Sequence, residues 1–335
     1  MSTVREDGAT AEDILSPGAG PSAGRARIFL QTYGIVVVAA LLVGVVALGN
    51  GAFLSPINVQ NMLSQWAPAG LMAIGMTYVI IAGGFDLSIS ATFSLCAVVA
   101  AAVAQTYSPV WALVAAIGCG GIVGLINAGL IARFAINPFI TTVGTGFVVT
   151  GITFVSTENA AIVVSDPAFS VLGAGRWHGL PYSGMLLIVM LAVAAIVLAR
   201  TVYGRMIYAV GGNAEASLLS GLPVGVVIGS TYVLLGGLSG VAGYISGSQL
   251  SSAQSNMDPN ILFDVMTIVI VGGTPLGGGL GSIWRSVVGL VIIATIGNGF
   301  VLLNISPYYQ NIIKGLIIVG ALILEATLKK SVRRA

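Results

Sequence analysis

Runs of about twenty apolar residues recur from one end of this chain to the other, and that length constrains the fold more than any motif does. An α-helix of about twenty residues crosses the roughly 30 Å hydrocarbon core of a bilayer. Composition agrees. Of 335 residues, 56% are hydrophobic and 7% charged, whereas soluble domains carry roughly a quarter charged residues. Lipid offers backbone groups no partner, so spans this long and uniformly apolar are helices; barrel strands would be shorter and alternate in polarity. The expected fold is an all-α polytopic membrane protein.

Ten spans fit the pattern, near 29–49, 61–82, 87–105, 110–132, 138–157, 182–200, 226–248, 261–275, 285–303 and 309–328. Residues 1–27 are polar, acidic and rich in Gly, Pro and Ala, and are expected to be a disordered tail rather than a signal peptide. Residues 28–328 form the membrane domain, and 329–335 a short basic tail. An even span count puts both termini on one side. If that side is the cytoplasm, Arg5, Arg25, Arg27, Arg133, Arg200, Arg205, Arg285, Lys329, Lys330, Arg333 and Arg334 all lie inside. These are eleven of the thirteen basic residues, with Arg176 outside and Lys314 within a span. The positive-inside rule therefore makes both termini cytoplasmic. The longest outer loop is then 158–181, and the longest inner loop 201–225.

Two apolar segments are interrupted in the same way. "MTYVIIAGGFDLSIS" from Met76 and "MTIVIVGGTPLGG" from Met266 each read Met-Thr, a short apolar run, a Gly pair and then small polar residues. They form an internal echo and predict broken or re-entrant helices, the sites at which many transporters gather their substrate contacts. Asp86 follows the first break. An acid in the bilayer is costly, and two readings stay open: it caps the next span by accepting backbone N–H groups, or it touches a transported solute. Asn61, Gln65, Ser88, Ser90, Asn127, Asn137 and Thr141, with Asn298 and Asn304, are further polar residues in or near spans. As a group they suit a polar, uncharged cargo; each one alone is better explained by interhelical packing. Lys314 reads as a side chain snorkelling to the outer interface. Small-xxx-small pairs such as Gly120–Gly124 and Gly236–Gly240 predict close helix packing.

Several chemistries are excluded. There is no phosphate-binding G-x-x-x-x-G-K-[ST] loop. Cys96 and Cys119 sit in apolar runs, with neither a metal spacing nor a disulfide framework. The single histidine, His178, lies in a polar loop and reads as a surface residue. Enzymatic activity, a resident cofactor, a metal site and nucleic-acid binding are not expected. The chain's contacts are with lipid and with protein. Proton-coupled carriage usually needs several intramembrane acids, and only Asp86 and Asp264 qualify.

The stretch "AVGGNAEASLLSGLPVG", residues 209–225, predicts a helix of about two turns. Asn213 caps its start, Glu215 complements the dipole in the first turn, and Gly221 and Pro223 end it. Two turns are not stable alone in water. Such a helix leans either on its own spans or on a soluble partner.

From about Met62 to Glu325 the chain resembles the membrane-spanning permease subunits of bacterial ABC importers for ribose, xylose and related sugars, a family of binding-protein-dependent inner-membrane components. The likeness is carried by "AIGMTYVIIAGGFDLSISA", "NPFITTVGTGFVVTGIT", "GRMIYAVGGNAEASLLSGLPV", "LSSAQ" and "VGGTPLGGGLGSIWRSVVGLVIIATIGNGFVLLNISPYYQNIIKGLIIV", in that order. The resemblance implies a translocation path for a monosaccharide, a second permease subunit (identical or related), cytoplasmic ATPase subunits that use the ATP, and a periplasmic sugar-binding protein. It also implies that the helix at 214–220 couples to the ATPase, with Gly212, Asn213, Glu215, Ser220 and Gly221 at the matching positions. The alternatives are an ABC permease for a nucleoside or branched-chain amino acid, and a stand-alone secondary carrier. The acidic N-terminal tail departs from the family pattern.

Overall fold

The computed structural model describes residues 21–332; side chains are described for 34–320 apart from Pro307. Of the expected disordered tail 1–27, residues 1–20 lie outside the described residues, whereas 21–27 are the first turns of a helix; of the expected basic tail 329–335, residues 333–335 lie outside them. Helices in chain order are α1 (Pro21–Gly49), α2 (Pro56–Gln65), α3 (Ala67–Ile81), α4 (Ile89–Ala104), α5 (Pro109–Ala128, prolonged by a π-helical turn, Gly129–Arg133), α6 (Pro138–Thr157), α7 (Val171–Ala174), α8 (Tyr182–Arg200), α9 (Val202–Gly212), α10 (Ala214–Leu219), α11 (Val224–Leu250), α12 (Ile261–Val271), α13 (Ile283–Leu302) and α14 (Pro307–Val332). A 3₁₀ turn (Pro167–Ser170) and four two-residue strands complete the elements of the described residues: β1 (Ile162–Val163), β2 (Arg176–Trp177), β3 (Leu180–Pro181) and β4 (Ser252–Ala253). The chain is an all-α membrane protein with almost no sheet.

Among the described residues five stretches are long and apolar enough to cross a membrane: Pro109–Arg133, Pro138–Thr157, Tyr182–Arg200, Val224–Leu250 and Ile283–Leu302. Shorter apolar helices cover four more of the expected runs, Gly34–Gly49, Ala67–Ile81, Ile89–Ala104 and Ile261–Val271, and two of these runs are cut by local breaks. The run at 61–82 is broken at Trp66 into α2 and α3, and Pro68 opens the second piece. The run at 261–275 contains only the eleven helical residues of α12, about 16 Å at ~1.5 Å per residue. Apolar counting runs straight across such breaks; a hydrogen-bonded helix does not. The helices at both ends also exceed the expected boundaries, α1 starting at Pro21 and α14 running to Val332.

At the centre lies α3, every residue of which is buried; a helix apolar on all sides belongs there. Beside it, α5 and α11 make the tightest contact of the fold. A Cβ on Gly120 would strike the carbonyl oxygen of Gly236, and one on Gly236 that of Gly120. Gly124 lies equally close to the carbonyl of Tyr232, and Gly240 to that of Ala116. The two small-xxx-small pairs seen in the sequence therefore face each other, backbone against backbone, where Cα–H···O contacts replace side-chain packing.

The segment 158–181, expected as a plain loop, is ordered into short elements. β1 pairs antiparallel with β4, Ile162 opposite Ala253, and β2 with β3, Arg176 opposite Pro181. Exposed His178 and then Gly179, both at positive φ (47° and 88°), make the hairpin tip. The segment 201–225 also differs from expectation. It holds two helices, because Thr201 caps α9, its Oγ1 accepting from the Gly204 N–H at 3.2 Å. Ile207 and Val210 bury one face of α9.

Candidate functional site

The internal echo has a geometric counterpart. α3 and α12 end on the same capping pattern. Gly83 N–H donates to Ile80 O (3.0 Å) and Gly84 N–H to Val79 O (2.8 Å); Gly273 N–H donates to Ile270 O (2.8 Å) and Thr274 N–H to Val269 O (3.2 Å). Gly83 and Gly273 take φ of 84° and 83°, a left-handed stop that favours glycine. Thr77 and Thr267 each return a hydroxyl bond of 2.6 Å to the carbonyl four residues earlier.

Both ends converge on α9. Gly279 N–H, from the segment after α12, donates to Ile81 O at 2.8 Å, the last carbonyl of α3. Gly211 sits against that bond: a Cβ there would overlap Ile81 O and lie 2.7 Å from Gly279 N. Tyr208 Oη donates to Gly281 O at 2.8 Å. One main-chain joint thus links α3, α12 and α9, directly before α10.

α10 has the predicted caps. Asn213 Oδ1 accepts from Ala216 N–H at 2.9 Å, Ser220 Oγ donates to Ala216 O at 2.8 Å, and Gly221 stops the helix at φ 82°. Leu222 N–H closes the last turn on Ser217 O at 3.0 Å. Gly212 has open space around it, and Glu215 is exposed. Leu218 and Leu219 are 63% and 84% exposed, an apolar edge that the described residues leave uncovered.

At the opposite ends of α3 and α12 lies a cavity of about 480 Å³, within the usual range for small-molecule sites. Its side-chain amides are Gln65, Gln249, Asn260, Gln310 and Asn311. Trp66, Phe93 and Tyr308 give it aromatic wall, and Asp258, Asp264 and Lys314 its charge. Lys314 does not snorkel. It is buried and ion-paired through Nζ to Asp264 Oδ1, the two side chains 8% and 11% exposed. Its Nζ lies 5.9 Å from the centre of the Trp66 ring. Tethering by a buried acid, with aromatic cover, replaces a route to the interface.

Of the pathway residues chosen from sequence, Gln65 lines this cavity, and Ser90 reaches its wall through a 3.5 Å bond to Asp258 O. Asp86, Ser88 and Asn127 form a separate buried cluster. Asp86 Oδ1 accepts from Ser88 N–H (2.7 Å) and Ser88 Oγ (2.6 Å); Asn127 Nδ2 donates to Asp86 Oδ2 (3.3 Å) and Ser88 Oγ (2.9 Å). Asp86 is not the cap of α4, whose cap position is Ser88; its carboxylate fixes the extended segment leading into the helix. Asn61 accepts from Arg176 Nη2 at 2.7 Å on an exposed face. Asn137 is exposed and caps α6, accepting from Phe139 N–H at 2.9 Å. Thr141 is buried on α6 beside an apolar groove between α5 and α6. Asn298 pairs with Asn58 at 2.8 and 3.0 Å. Among the described residues no cluster of three or more His, Cys, Asp or Glu could hold a metal, and Cys96 and Cys119 are free.

Sequence reasoning missed Gln249, Asn260, Gln310 and Asn311. One signal was present: Gln310, Asn311 and Lys314 are spaced i, i+1, i+4 and share a helix face, which is unusual inside an apolar span.

Residues 58–322 match the family described as branched-chain amino acid transport system / permease component. The chain belongs to that family. Among its relatives, the ribose import permease protein of Bacillus subtilis is 37% identical over 299 residues, covering 88% of this chain and 93% of that protein. The L-arabinose ABC transporter permease protein of Azospirillum brasilense is 33% identical over 325 residues, 96% of each chain. The L-arabinose transport system permease protein of Escherichia coli is 33% identical over 308 residues, covering 92% of this chain and 94% of that one. No solved structure matches. The cavity lies between α3, α11, α12 and α14.

Proposed function

We propose that this chain is the permease subunit of an ATP-binding-cassette importer, forming the path for a monosaccharide across the inner membrane. A periplasmic binding protein delivers the sugar, and separate cytoplasmic ATPase subunits supply the drive; the permease itself carries no cofactor. The observation that carries this reading is the polar, aromatic-edged cavity in a chain whose relatives, over nearly their full length, are ribose and arabinose permeases. About ten spans, with both termini cytoplasmic, agree with the distribution of basic residues. A second permease subunit, identical or related, completes the path.

The drive enters at α10. A two-turn helix with two exposed leucines is suited to a groove on a partner, and Gly212, Asn213, Glu215, Ser220 and Gly221 shape it. Motion of α10 passes through α9 to the joint at Gly211, Ile81 and Gly279, and from there along α3 and α12. Both helices have their far ends in the cavity wall, at Trp66 on α3 and at Asp264 on α12. Alternating access is then a rocking of these two short helices against the fixed α5–α11 pair.

Proteoliposomes holding this chain with its ATPase and binding protein test the reading. Radiolabelled sugar uptake is expected only with internal ATP; uptake driven by an ion gradient without the ATPase overturns it in favour of a secondary carrier. In the same system Glu215→Lys is expected to keep ATP hydrolysis while lowering uptake at least tenfold, with insertion unchanged. Coupling equal to the parent protein removes α10 from the drive.

A further inference from the structure

The charges around the cavity are arranged for a neutral solute. The titratable groups lining it are Asp258, Asp264, Tyr308 and Lys314, and the one cation among these lining residues is already matched by Asp264. A free carboxylate or phosphate on a solute would find no unpaired positive charge among the lining residues, and taking Lys314 would leave Asp264 buried without its partner. A solute made of hydroxyls needs no such exchange. Lys314 has three N–H donors and gives one to Asp264; the carboxylate keeps its second oxygen and further lone pairs. Donor and acceptor stand side by side, matching a vicinal diol in which one hydroxyl donates to Asp264 and its neighbour accepts from Lys314. Asn260 and Asn311 each add one acceptor and two donors around the same space, and Gln249, whose Nε2 donates to Ser64 O at 2.9 Å, adds its amide oxygen. Trp66, beside the pair, is a lining residue whose indole N–H is buried without a partner. Its ring offers an apolar face of the kind that the C–H side of a sugar ring covers.

We propose that the Lys314–Asp264 pair, flanked by Trp66, is a subsite for two adjacent hydroxyls of an uncharged sugar and that it excludes anionic sugars. This assignment rests on the importer reading above and adds to it the point of recognition inside the membrane. The pair is a filter as well as a tie: it binds because both ions are present, and rejects anions because neither is free.

The test begins with uptake of D-ribose, L-arabinose and D-xylose by cells expressing the complete importer. The sugar taken up is then used as the protecting probe. Ser246, which lines the cavity, is replaced by Cys in a Cys96→Ser/Cys119→Ser background, and its labelling by a small thiosulfonate is timed in the whole complex. The transported sugar is expected to slow labelling at least fivefold, and D-ribose 5-phosphate and D-gluconate to leave it unchanged. In Lys314→Met/Asp264→Leu, which removes the pair without stranding a charge, protection is expected to disappear. Lys314→Arg keeps the ion pair and its fold but changes its reach, and should raise the half-protecting sugar concentration at least threefold. A transported sugar that gives no protection overturns the subsite and leaves the importer reading standing. So do full protection in the double variant, an unmoved value in Lys314→Arg, or protection by either anion. If none of the three sugars is taken up, the importer reading fails and the subsite with it.

Discussion

The contact between α5 and α11 and the one between α12 and α14 are opposite ways of joining helices in a membrane. The first has almost no side chains in it. Gly120 and Gly236 bring main chain onto main chain, and the fit is made by what is missing. The second is held apart by large polar side chains, leaves a cavity, and closes through one buried ion pair. Dense backbone contact has a single arrangement and resists deformation. A contact lined by polar side chains around a cavity can exchange partners at less cost. This bundle thus separates a rigid member from a yielding one, and the cavity lies on the yielding side.

Three substitutions sharpen or break the contrast, in falling order of effect. Gly236→Leu places a side chain where the Gly120 carbonyl lies, with no room to relax, and is expected to abolish stable insertion, seen as loss of the monodisperse peak in size-exclusion chromatography. Gly118→Leu, at a glycine facing open space, keeps the peak; if both behave alike, the seam is not rigid. Next, Lys314→Met leaves Asp264 buried and unpaired, a loss of about 3–5 kcal/mol, read as a clear fall in thermal unfolding temperature in detergent. Adding Asp264→Leu is expected to recover most of that fall. A Lys314→Met protein as stable as the parent means the pair contributes nothing as a tie. The smallest effect belongs to Asn213→Ala, which removes the cap of α10 at a cost of about 1 kcal/mol. It should speed amide exchange at residues 214–219 severalfold and leave the unfolding temperature of the bundle unchanged; a global change would mean that α10 is part of the scaffold.

Which of these features could be read from the sequence follows from how local their signals are. The glycine pairs at 120–124 and 236–240, the two Gly-Gly breaks and the caps of α10 are each written within a few residues, and all of them are in the fold. The cavity is not local. Its walls come from α2, α3, α4, α11, α12 and α14 and from the segment before α12, so no window of sequence contains it. Lys314 was misread for the same reason: its partner is Asp264, on another helix, and a lone lysine in a span looks the same with or without one. Two of the expected spans differ for another reason. Apolar runs at 61–82 and 261–275 are long enough to cross, but the backbone interrupts them at Trp66 and at Gly272–Gly273. Asp86 lies between these cases. Its role at the entry to α4 was legible, while its partners Ser88 and Asn127 were named without being connected to it.

The joint of α3, α9 and α12 is built from peptide groups: the Ile81 carbonyl, the Gly279 N–H and the bare α-carbon of Gly211. The cavity at the far ends of the same helices is built from side chains. On the proposed function, a change of cargo would be made by altering amides and aromatics around Lys314 without touching the joint. Paralogues with different diets need share little in the cavity, while glycine at position 211 leaves them almost no freedom at all.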